Sequence, residues 1–147
     1  MTTSPEPAWT LRCDGGSRGN PGPGALGYVL CDPTGNEVEA RGEFLGVCTN
    51  NVAEYRSLIA GLGAASRHGV RSLAVRMDSE LVVRQMLGQY KVKNEGLKPL
   101  HAEARSAVAR VGVVRFESVP RDDNGRADGL VNEALDEALR TRSEFPR

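Results

Sequence analysis

The sequence predicts one α/β domain in which helices cover a sheet of mixed strand direction. Three observations carry this. Strand-like runs separated by turn residues fill the first third of the chain, the hydrophobic period switches to helical spacing at Asn50, and strands and helices then alternate almost to the end. A length of 147 residues suits one domain with a real core, and 39% hydrophobic with 26% charged residues is ordinary for a globular protein.

Each element has its own signal. Thr2 to Pro7 is polar and contains proline, so residues 1–8 read as a loose tail. Trp9, Leu11 and Cys13 alternate as in a strand that ends at Asp14. Gly24 to Cys31 reads as a second strand and Glu37 to Leu45 as a third with one wet face. Between them, Asp32-Pro33-Thr34-Gly35-Asn36 is a turn, which makes the first three strands an antiparallel meander. Over Asn50 to His68, Tyr55, Leu58, Ile59 and Leu62 recur at helical spacing, and Gly69 supplies a stop. Leu73, Val75 and Met77 form a fourth strand ending at Asp78, followed by a short helix over Ser79 to Leu87. Leu97 to Val111 is a helix with Pro99 in its first turn and Gly112 after its last. Val113 to Val119 is a fifth strand. Asp123 to Arg140 is the last helix, with Ala127, Val131, Ala134, Leu135 and Ala138 on one face, and 141–147 reads as a tail or linker.

Composition excludes several classes of function. No apolar run is long enough to span a membrane and Met1 to Ala8 has no signal-peptide core, so the expected location is the cytoplasm. Cys13, Cys31 and Cys48 form no CxxC pair, and His68 and His101 are the only histidines, which argues against zinc. "GPGALG" over Gly22 to Gly27 matches GxGxxG formally, but a strand follows it rather than a helix, and no GxxxxGK[ST] occurs. Aromatics are only 5%, too few for a single-strand stacking platform.

Four carboxylates stand in unusual places. Asp14 and Asp78 each end an apolar strand, Glu54 lies in the first turn of its helix one turn before Leu58, and Asp128 sits at the edge of the last helix's apolar stripe. Singly, each has an ordinary explanation as turn former, helix cap or partner of the helix dipole. If the four converge they repel, by about 3 kcal/mol for a pair about 5 Å apart at an effective dielectric near 20. Such a cluster is tolerable when it shares protons or binds cations. All-oxygen donors without Cys or His suit Mg²⁺ or Mn²⁺, and two such ions are the usual device for phosphodiester hydrolysis.

"DGGSRGNPGPGALGYVL", "TNNVAEYRSLIAGL", "MDSELVVRQ" and "NGRADGLVNEAL", in that order, resemble type 1 ribonuclease H from about Trp9 to Arg140. The resemblance implies a catalytic domain over 9–140 with the ribonuclease H-like fold, a five-stranded mixed sheet in the order 3-2-1-4-5 flanked by helices. It implies endonucleolytic hydrolysis of the RNA strand of RNA–DNA hybrids, leaving 5′-phosphate and 3′-hydroxyl ends. Asp14, Glu54, Asp78 and Asp128 would hold two Mg²⁺, with Mn²⁺ a substitute and Asp14 bridging the ions. Gly15, Gly16, Ser17, Arg18, Asn20, Asn50 and Asn51 would meet the hybrid, and Thr49 a phosphate of its DNA strand.

The zero net charge is then less puzzling. Taking the four acids from 19 leaves 15 against 19 bases, an excess of four positive charges once two Mg²⁺ neutralise the site. Lys91, Lys93 and Lys98 add a modest basic stretch.

Three features depart from the family pattern. The loop histidine of some members is missing from "VPRDDNGRAD", where Arg121 stands as an exposed arginine, or as a residue that contacts the scissile phosphate or helps product leave. Asn124 is a candidate to hydrogen-bond a metal-bound water or to cap the helix, and Glu80 replaces a frequent Gln. The tryptophan-rich basic protrusion is absent, which implies weaker, salt-sensitive binding and extends the possible substrates to RNA–RNA duplex. A monomer is expected, and a fused phosphatase domain in a longer chain, as in some relatives, is a further expectation. Two alternatives remain: a non-catalytic hybrid-binding module, which would not need four intact acids, or another nuclease of the ribonuclease H-like fold, such as an integrase-like enzyme.

Overall fold

The computed structural model describes residues 8–144. Apart from Ala8, the tail expected at 1–8 lies outside them, as do residues 145–147. The elements are β1 (Trp9–Ser17), β2 (Gly22–Cys31), β3 (Glu37–Cys48), α1 (Asn50–Arg67), β4 (Ser72–Met77), α2 (Glu80–Met86), α3 (Lys98–Val111), β5 (Val113–Ser118) and α4 (Gly125–Glu144). A four-residue 3-10 turn, Arg121–Asn124, leads into α4.

The sheet order is β3-β2-β1-β4-β5. β1 pairs antiparallel with β2 and β2 with β3, while β1 pairs parallel with β4 and β4 with β5. This is the topology expected from the motifs.

β2 is buried on both faces and divides the core. Leu26, Tyr28 and Leu30 join Leu11 and Cys13 of β1 and Tyr55, Leu58 and Leu62 of α1 in the main cluster. The intervening Ala25 packs with Val131 and Leu135 of α4 in a smaller one, as strand alternation requires. A residue such as Leu58, with no exposed surface, contributes about 1.5–3 kcal/mol by its burial.

Several boundaries differ from the sequence reading. β1 does not stop at Asp14, because Gly15, Gly16 and Ser17 continue the ladder against Leu26, Ala25 and Gly24. β2 starts earlier, at Gly22, and β3 runs on to Cys48, whose partner is Gly22. Asp123 belongs to the 3-10 turn rather than to α4, and α4 runs four residues past 140. Leu130, absent from the expected apolar face, is buried there against the sheet.

Candidate active site

The acidic cluster is built by three close approaches of the backbone. Asp14 lies within β1, opposite Gly27 of β2. A Cβ at Gly27 would overlap the Ala127 carbonyl, so the missing side chain lets α4 descend onto the sheet beside Asp14. Asp128 follows Ala127 and reaches the Asp14 carboxyl. On the α1 side, a Cβ at Gly15 would overlap the Ala53 carbonyl. That approach brings Glu54 to the Gly15 N–H, which donates to its Oε1 at 2.5 Å. β4 runs parallel to β1 with Arg76 level with Arg12, so Asp78, just past its end, arrives beside Asp14.

Asp14, Glu54 and Asp78 each offer an oxygen, and the three atoms lie within 4.8 Å of one another. Asp14 and Glu54 are buried and Asp78 is half-buried. Asp128, also half-buried, accepts from Asn132 Nδ2 at 3.3 Å and lines the same cleft of about 350 Å³. The sequence reading put Glu54 in the first helical turn. Thr49 caps α1 with Oγ1 accepting from Val52 N at 3.2 Å, which places Glu54 in the second turn, beyond most of the dipole's reach.

The electrostatics are those of a site short of positive charge. Burial first, then the negative charge of Asp78 and contact with Asp128, push Asp14 up to about 7. Burial and the charges of Asp14 and Asp78 push Glu54 well above the usual carboxylate range. Among the described residues two cations line this cleft, Arg18 and Arg121, and the one paired with the acids is Arg121, whose Nε stands 3.6 Å from Asp78 Oδ2 while its side chain is 85% exposed. The Cys13 thiol behind the acids is driven well above its usual value by burial, then by Glu54, Asp14 and Asp78, and it is not among the three residues whose ligand atoms converge. The donor set is therefore all oxygen and partly desolvated, the kind that fits a hard divalent cation.

The polar residues expected to meet substrate ring this cluster. Asn50 Oδ1 accepts from Ser17 N at 2.8 Å and Ser17 Oγ at 3.1 Å, and Asn20 Oδ1 accepts from Asn50 N at 3.0 Å. The glycine-rich hairpin is thus stitched to the start of α1. Gly16 lies in the cleft wall with Asn51, and Asn51 also joins Thr49 and Asn20 in a neighbouring cleft of about 360 Å³. Arg18 pairs with Asp136 of α4 at 2.7 Å. Glu80 is not brought in, because its carboxylate turns to Arg84 at 2.8 Å on the outer face of α2.

Of the two roles expected of Asn124, the structure speaks to the cap: its side chain makes none but is fully buried, and Nδ2 donates to the Cys13 carbonyl at 2.9 Å and to Asp78 Oδ1 at 3.4 Å. Sequence reasoning missed Asn132 and Asp136. Both lie at helical spacing from Asp128, a signal that was available, but their contacts arise only in the folded chain.

A family model described as reverse transcriptase-like matches residues 12–134. The bifunctional protein Rv2228c of Mycobacterium tuberculosis is 45% identical over 132 residues, 89% of this chain. The chain spans only 36% of that relative's length. The crystal structure of RNase H1 from the archaeon Halobacterium salinarum matches with a TM-score of 0.86 at 41% identity, covering 88% of this chain and 98% of that one. LC11-RNase H1, isolated from compost by a metagenomic approach, was solved in complex with an RNA/DNA hybrid. That complex matches with a TM-score of 0.84 at 45% identity over 89% of this chain and 99% of that one.

Proposed function

The chain belongs to the type 1 ribonuclease H family, and on that premise we propose that it hydrolyses the RNA strand of RNA–DNA hybrids in a metal-dependent reaction. The observation that carries this is the convergence of Asp14, Glu54 and Asp78 oxygens within 4.8 Å, with Asp128 beside them and an exposed arginine, Arg121, in partial compensation. Four acids spread over two strands, or strand ends, and two helices are not assembled for stability, since their mutual repulsion opposes folding.

Asp14, Glu54, Asp78 and Asp128 would hold two Mg²⁺ ions, with Mn²⁺ a substitute. When bound, such ions supply the positive charge that activates an attacking water and stabilises the leaving 3′ oxygen. The chain's own residues hold the cluster in shape. The Gly15 N–H fixes one oxygen of Glu54, and Asn132 orients Asp128. As water attacks phosphorus the P–O3′ bond breaks, leaving 5′-phosphate and 3′-hydroxyl ends.

Ser17, Arg18, Asn20, Asn50 and Asn51 sit where the hybrid's minor groove would lie, and the 2′-hydroxyls there separate RNA from DNA. Thr49, which caps α1, faces the neighbouring cleft where a phosphate of the DNA strand would rest. Arg121, exposed and loosely paired, is free to swing from Asp78 to the scissile phosphate. Arg121→Ala should then lower kcat about tenfold with little change in KM, and unchanged turnover removes that role.

The test is a labelled hybrid incubated with the protein, with and without Mg²⁺ or Mn²⁺, beside duplex DNA and duplex RNA. Metal-dependent cuts confined to the RNA strand support the reading, and an uncut hybrid at every metal concentration defeats it. The duplex RNA lane decides the wider substrate range, and sedimentation of the same sample decides the expected monomer. A fused phosphatase domain belongs to the same proposal. It would be tested on the full-length native protein with a phosphomonoester substrate.

A further inference from the structure

We propose that Asn124 is a positioning residue that sets the spacing of Asp14, Asp78 and Asp128, and so the affinity of the site for divalent cations. This rests on the metal-dependent reading above. Asn124 ends the 3-10 turn and stands four residues before Asp128, at the mouth of α4. Its side chain is fully buried. The Nδ2 donates to the carbonyl of Cys13, the residue before Asp14, and to Asp78 itself. One amide therefore ties together the pieces of chain that carry three of the four acids.

The turn is pinned twice to the same part of β1. Arg12 Nη1 donates to the Asp123 carbonyl at 2.6 Å, and Asn124 docks on the next residue, Cys13. The orientation of the amide is forced, because a flipped amide would set Oδ1 against a carbonyl and a carboxylate, both acceptors. The donor side is thus fully used. The acceptor is not: Asn124 Oδ1 is buried with no partner among the described residues. A buried unpaired acceptor opposes folding, so a residue kept only for stability would serve better as a leucine of similar volume. Asn124 is kept, on this account, for the two bonds it gives to the acidic cluster. Groups that orient ligands from behind typically change metal affinity by about 10–100-fold when removed.

The experiment uses the whole chain and reads metal binding without substrate. Mg²⁺ is titrated calorimetrically into metal-free wild type, Asn124→Leu and Asn124→Met, and the thermal midpoint and metal-free hybrid affinity are recorded for each. Asn124→Leu should keep a midpoint within a few degrees of wild type and bind hybrid equally well, while Mg²⁺ affinity falls about tenfold or more. Its kcat at fixed Mg²⁺ should fall with KM for hybrid unchanged, and raising Mg²⁺ should recover part of the loss. A folded Asn124→Leu with wild-type Mg²⁺ affinity overturns the proposal. If Asn124→Leu does not fold, Asn124→Met is read in the same way, since it also removes the donor and adds no charge or metal-binding oxygen. If neither folds, the residue is structural and the proposal fails. Wild type that binds no Mg²⁺ defeats the metal site itself, an outcome visible before any variant is made.

Discussion

Two carboxylate centres sit near opposite ends of α1, and they are built in opposite ways. Near the C-terminal end, Glu39 of β3 accepts from the Tyr28 hydroxyl, from Arg67 Nη2 at 2.8 Å, and faces His68 Nε2 at 3.1 Å. The Tyr28 hydroxyl first, then His68 and Arg67, hold Glu39 below its usual range despite partial burial. Roughly 20 Å away, thirteen residues back along the helix at 1.5 Å each, Glu54 meets Asp14, Asp78 and Asp128, where the donors are the Gly15 N–H and the amides of Asn124 and Asn132, with no buried cation among the described residues. There burial and repulsion push Asp14 and Glu54 up instead of down. A carboxylate whose partners come from the chain is finished by folding. A cluster left short of positive charge is finished by something from outside.

The largest effect should come from removing a member of the unfinished centre. Asp78→Asn should lower hybrid cleavage about a thousandfold or more, about 4 kcal/mol in the barrier, with the fold unchanged by circular dichroism. Residual activity within tenfold of wild type would make the two centres alike after all.

The next effect is on stability and has an unusual sign. Asp14 is raised to about 7 in the folded chain, above its unfolded value of 3.8. Between those values the folded state binds more protons than the unfolded one. Metal-free stability should therefore fall as pH rises from about 4 to about 7, by a few kcal/mol at most, with Glu54 acting in the same direction. Asp14→Asn should stabilise the metal-free protein at pH 8, measured by urea unfolding, although it abolishes cleavage. Saturating Mg²⁺ should raise the midpoint of wild type and leave the variant nearly unmoved.

Glu39 should behave in the reverse way. Glu39→Ala should cost about 1–2 kcal/mol, because it strands the Tyr28 hydroxyl, and should leave kcat within twofold. The stabilisation from Glu39 is present above its unfolded pKa and is lost as pH falls through its lowered folded one. Unfolding at pH 7 and pH 3 should therefore show the difference between wild type and Glu39→Ala shrinking in acid. The smallest effect belongs to Glu80, whose exposed i,i+4 pair with Arg84 lies outside the cleft. Glu80→Ala should change stability by about 0.5 kcal/mol or less and leave cleavage untouched.

What the sequence could and could not foretell follows from the range of each interaction. The elements, and the acids at their ends, were readable because they ride on local patterns, such as the alternation of Trp9, Leu11 and Cys13 and the Asp78-Ser79 strand end, while the strand order came with the resemblance that the motifs carry. The continuation of β1 through Gly15 to Ser17 was not, since glycines read as a loop until a partner strand pairs with them. Glu54 was misplaced by a turn because the cap at Thr49 decides where counting starts. Leu130 was overlooked because its burial depends on Gly42 and Gly27 letting α4 sit low on the sheet. Asn124 read as either a partner of a metal-bound water or a helix cap, and its burial as a tie between Cys13 and Asp78 depends on their tertiary approach.

A crystal grown with Mn²⁺ and a non-cleavable hybrid tests the central claim most directly through the anomalous signal of the ion. The account predicts peaks coordinated by oxygens of Asp14, Glu54, Asp78 and Asp128, with the RNA phosphate alongside. An ordered hybrid lying across this cleft with no peak among the four carboxylates would contradict it.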